Sequence, residues 1–95
     1  MITMSTGTVA SAVRSLSDLI ELMRIESRRA DDSAVPITRR KLDNGARQLD
    51  AIRTKLTERD DCIDEAWAYV DAGRVFLALQ IINLDRTIRE RRPWR

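Results

Sequence analysis

The stretch RVFLALQIINLDRTIRERR, Arg74–Arg92, carries two apolar seams where an ordinary surface helix carries one. At about 100° per residue, Val75, Ala78, Leu79 and Ile82 share one face, and Leu77, Ile81, Leu84 and Ile88 make a second, about 120° away. Gln80, Asn83 and Thr87 take the remaining strip. The first seam stops after two turns, because Asp85, Arg86 and Arg89 stand on its continuation. That length suits a short helix opposite, and residues 62–72 offer one, with Ile63, Ala66, Trp67 and Val70 as its buried stripe. Asp60 or Asp61 can cap its start, Asp64 and Glu65 support its first turn, and Gly73 can end it in the left-handed conformation. The first seam is therefore expected to close a short-long hairpin of helices over 62–72 and 74–91. The second seam is longer and needs a long helix beside it. Either a helix of the same chain fills it, or part of it pairs with another subunit or protein. On the second reading Leu77, Ile81, Leu84 and Ile88 are the candidate partner or dimer interface.

Two long helices precede the hairpin. Val9, Val13, Leu16, Ile20 and Met23 recur at spacings of 4, 3, 4 and 3, which predicts a helix over about 8–30. Ser5, Thr6 or Thr8 can cap it, Arg28 and Arg29 suit its last turn, and Asp31-Asp32-Ser33 breaks the pattern. Pro36 suits the first position of a second helix over about 36–59, whose seam is Leu42, Leu49, Ile52 and Leu56. Asn44-Gly45 reads as a turn in isolation. The spacing from Leu42 through Gly45 to Leu56 is nevertheless 3, 4, 3, 4 without a slip, so a continuous helix is favoured, with Gly45 letting a neighbour approach closely. Pro93 stops the last helix and leaves a basic tail over 91–95. No segment alternates as a strand does. The fold class is all-α, a small single-domain bundle of four helices.

Composition removes most chemistry. The 95 residues include no histidine, one cysteine, three glycines, seventeen basic and fifteen acidic side chains. An internal disulfide and a zinc site are excluded, as are His-dependent acid–base and nucleophilic schemes. The three glycines are too scattered for a phosphate loop. Cys62 reads as an inert thiol, its acidic neighbours opposing any activation by a helix start. The carboxylates from Glu58 to Glu65 lack calcium-loop spacing and read as capping and solvated charge. No catalytic residue, cofactor or metal is expected, and the protein is read as a non-enzyme. The segment Met1 to Val13 lacks the positive start of a secretory signal, and no run reaches the ~18 apolar residues of a membrane span. A cytoplasmic protein without membrane contact is the expectation.

Fifteen of the basic residues are arginine and two are lysine, a bias that a G- and C-rich genome explains as readily as function. Only the C-terminus concentrates one sign. Arg86, Arg89, Arg91 and Arg92 with Trp94 form a candidate basic contact surface, able to meet phosphates and a base or an acidic protein. Arg39, Arg40 and Lys41 make a second basic spot.

The run over 62–91 resembles a single tetratricopeptide unit, with Tyr69, Gly73 and Ala78 at that family's Tyr, turn Gly and small Ala, and Ile82 at its following apolar position. It departs from the pattern at Cys62, Glu65 and Asp85, and a shift by the family's period finds no second repeat. The resemblance implies protein–protein contact. Together these readings predict a non-enzymatic, protein-binding accessory or regulatory protein, of the kind bacteria and phages encode as inhibitors or adaptors, partnered by another protein or by itself as a homodimer. The alternative is a small nucleic-acid-binding protein that uses the arginine-rich tail.

Overall fold

The computed structural model describes residues 8–59 and 61–91. Three helices follow one another up, down and up: α1 (Val9–Asp32), α2 (Pro36–Thr57) and α3 (Ile63–Arg91). Among the described residues there is no strand, and no helix is long and apolar enough to cross a membrane. The described residues are all-α, but with three helices rather than four. The expected hairpin over 62–91 is one unbroken helix. Gly73 does not end anything: it lacks positive φ and is a buried helical residue. A Cβ placed on it would lie 3.1 Å from Leu19 Cδ1 of α1 and 3.2 Å from Leu49 Cδ1 of α2. The missing side chain lets α3 settle between the other two helices, so the residue serves packing and not a turn. Tyr69, Gly73 and Ala78, which carry the tetratricopeptide resemblance, consequently stand on a single helix.

α2 runs through Asn44-Gly45 without interruption. Gly45 sits where α3 crosses, and a Cβ there would lie 2.6 Å from Phe76 Cε2 and 3.3 Å from Met23 Sδ. Ala12, Leu16, Leu19, Ile20 and Met23 of α1 meet Leu42, Ala46, Leu49 and Leu56 of α2 and Ala66, Val70 and Leu77 of α3 in the main core. A second cluster of Ala30, Val35 and Leu84, with Ile88 against it, closes the end where α1 turns into α2. Cys62 belongs to the main core, and its carbonyl accepts from Ala66 N at 2.8 Å. α3 thus starts from Cys62, not from a capping Asp61; Asp60 lies outside the described residues.

The α1–α2 turn is built from backbone. Val35 N donates to Ala30 O at 2.9 Å and Ala34 N to Asp31 O at 3.0 Å, the paired bonds of a Schellman motif. Its left-handed position is held by Ala34 at φ 58°, where glycine is the usual residue. Ala30 and Val35, the two residues flanking the turn, make the accompanying apolar contact. Thr8 caps α1, its hydroxyl accepting from Ser11 N at 3.1 Å, while Ser5 and Thr6 lie outside the described residues.

Candidate protein-binding surface

α3 buries one stripe and exposes another. Ala66, Val70, Gly73, Leu77, Gln80 and Leu84 are spaced 4, 3, 4, 3, 4 and all face the interior. Displaced by two residues, about 200° around the helix, Ala68, Ala72, Val75, Leu79 and Ile82 keep the same rhythm and are exposed. Val75 is 61% exposed, Leu79 52% and Ile82 54%. The seams have therefore exchanged roles. The seam read as a hairpin contact faces water, because no separate short helix exists to cover it. The seam read as a candidate interface is packed within the chain, with Leu77 and Leu84 buried and Ile81 and Ile88 half-buried.

The exposed stripe continues onto α1. Leu22, 47% exposed, borders a groove of about 360 Å³ that Ala78 and Ile81 line from α3. On the opposite flank a groove of about 380 Å³ lies between α2 and α3, walled by Met23, Leu49, Ile52, Tyr69 and Phe76 and floored by Gly45. Charge is graded along the outer face. Asp64, Glu65 and Asp71 are exposed toward the start of α3, Asp71 engaged by Arg74 at 3.5 Å, and Arg86 and Arg89 outnumber exposed Glu90 toward its end. Asp85, on the α1 side, is engaged by Arg29, whose Nη2 donates to it at 2.8 Å while Nε donates to Glu26 at 2.8 Å. These bonds, to Glu26 first and then Asp85, hold the guanidinium above its ordinary pKa.

Of the candidate basic surface, Arg86, Arg89 and Arg91 lie among the described residues. Arg91 turns back, and its Nη1 donates to Ser33 O at 3.1 Å and Ala34 O at 2.6 Å, so this side chain fastens the α1–α2 turn to the end of α3. Arg92 and Trp94 lie outside the described residues. In the second basic spot Arg39 is drawn into ion pairs with Asp43 and Asp31, leaving Arg40 and Lys41 exposed. Among the described residues no three His, Cys, Asp or Glu side chains come together as a metal site. The Ala34 turn had no Gly or Asn to announce it, and the outer stripe was legible in spacing but assigned to the wrong neighbour. Comparison with protein-family models, curated proteins and solved structures finds no match in any of the three.

Proposed function

We propose that this chain is a non-enzymatic accessory or regulatory protein, an inhibitor or adaptor, that acts by binding protein through the outer face of α3. The observation that carries the reading is the row Val75, Leu79 and Ile82, three large apolar side chains more than half exposed on one helix. Single exposed apolar residues are commonplace, but a contiguous stripe rimmed by charge is the usual mark of a protein contact. A helix anchored along its whole inner side presents that stripe with its side chains already in register, which lowers the ordering cost of binding. The engagement of Arg91 in the turn favours protein over phosphate as the ligand. The test is a side-by-side capture from extract of the native host, using the full chain and its Leu79→Glu variant, with mass-spectrometric identification. The reading expects at least one protein retained by the native chain and lost by the variant. Identical captures, or oligonucleotide binding that falls steeply with salt and ignores the substitution, would overturn it.

A further inference from the structure

We infer that the outer face of α3 pairs with the same face of a second copy, antiparallel, about a twofold axis passing at the level of Leu77. The inference rests on the protein-binding reading and names the partner. The residues of the stripe alternate at 3 and 4, the rhythm of a two-helix seam. An axis at residue 77 lays Val75 against Leu79 of the second copy in the central layers, and Ala72 against Ile82 and Ala68 against the aliphatic stem of Arg86 in the outer ones, where a small residue meets a large one. Ala78 lies beside the axis and is small enough for close approach, with exposed Leu22 of α1 extending the apolar contact sideways. Charge selects the direction. Antiparallel pairing sets exposed Asp64 and Glu65 of one copy at the level of Arg89 and Glu90 of the other, with Asp71, which Arg74 engages at 3.5 Å, within a turn of Arg86. The acidic start of one helix thus meets the net positive end of the other, and the two helix dipoles oppose. Parallel pairing would instead stack Arg86 on Arg86 and Asp64 on Asp64, which costs affinity at both ends. Asp85 on the flank brings little repulsion because Arg29 already neutralises it.

The experiment is sedimentation equilibrium of the full chain over a dilution series, with circular dichroism of each variant. The native protein is expected at about twice the 10.9 kDa chain mass, and Leu79→Glu is expected to shift the dissociation constant at least tenfold toward monomer while helicity stays unchanged. Orientation is read by mixing Val75→Cys chains with Leu79→Cys chains under mild oxidation. The antiparallel seam predicts the mixed 75–79 disulfide in excess over either homodisulfide. A native chain that remains monomeric at high micromolar concentration overturns the inference, as does a dimer indifferent to Leu79→Glu or one that forms homodisulfides. A monomer that still loses a captured host protein on Leu79→Glu would sink the second copy as partner while leaving the protein-binding reading standing. A capture and a sedimentation profile both unaffected by the substitution would remove both.

Discussion

Replacing Ala34 by glycine should make the protein more stable, although it deletes a methyl group and adds no contact. Ala34 sits at φ 58° in the turn between α1 and α2. For a residue with a Cβ the left-handed region costs about 1–2 kcal/mol, because that carbon crowds the following carbonyl. Glycine escapes the crowding, but its freer unfolded chain takes back about 0.4–1 kcal/mol. The balance is a gain of about 1 kcal/mol. The hydrogen bonds of the turn are unaffected, since Ala34 N to Asp31 O and Arg91 Nη1 to Ala34 O use only backbone atoms of residue 34. Position 34 is exposed, so no packing is lost. For a domain of this size a gain of about 1 kcal/mol raises the melting temperature by about 4–8 °C. Urea titration followed by circular dichroism measures it directly. A midpoint that stays put or falls would refute the left-handed assignment, and with it the Schellman geometry that joins the first two helices.

The other predictions concern the interior and the two seams. Leu84→Ala should lose about 2–5 kcal/mol, as expected for a fully buried leucine. Leu79→Ala should change the stability of the dilute monomer by no more than about 0.5 kcal/mol; the opposite ranking in chemical denaturation would reverse which seam faces the core. Gly73→Val should cost about 1–3 kcal/mol by forcing α3 away from Leu19 and Leu49, and an unchanged denaturation midpoint would remove Gly73 from the three-helix contact. Gln80→Met should stabilise by about 1 kcal/mol, because Gln80 Oε1 is buried and has no hydrogen-bond partner among the described residues. A lower melting temperature for this variant would mean that the carbonyl is satisfied in solution.

Much of this arrangement was legible in the residues, and the failures have physical causes. The unslipped apolar spacing across Asn44-Gly45 outweighed the turn preference of that dipeptide, and α2 is continuous as the spacing required. At Gly73 the same logic was available, since Val70, Gly73 and Leu77 also keep the 3 and 4 rhythm. Read as a helix stop, Gly73 cuts one helix into two and gives the first seam a neighbour that the fold does not contain. Local chemistry alone does not distinguish a glycine that ends a helix from one that admits another; only the Leu19 and Leu49 methyls against it do. The exposed stripe followed from that error, because a seam expected to be covered proved to be open. Asp31-Asp32-Ser33 and Pro36 mark the break between the first two helices, but the left-handed conformation of Ala34 has no signal in the residues, since tertiary contacts of Val35 and Arg91 hold a conformation that alanine does not favour.

Whether the outer face of α3 is covered by protein can be read from one labelled position. A Val75→Cys chain and an Ala51→Cys control on the exposed side of α2 would be reacted with a thiol probe as protein concentration rises, with Cys62 buried in both. A face that meets a second copy predicts that labelling at position 75 slows with concentration while labelling at position 51 does not. Equal rates at every concentration would contradict it, showing the stripe open to water even when copies are abundant.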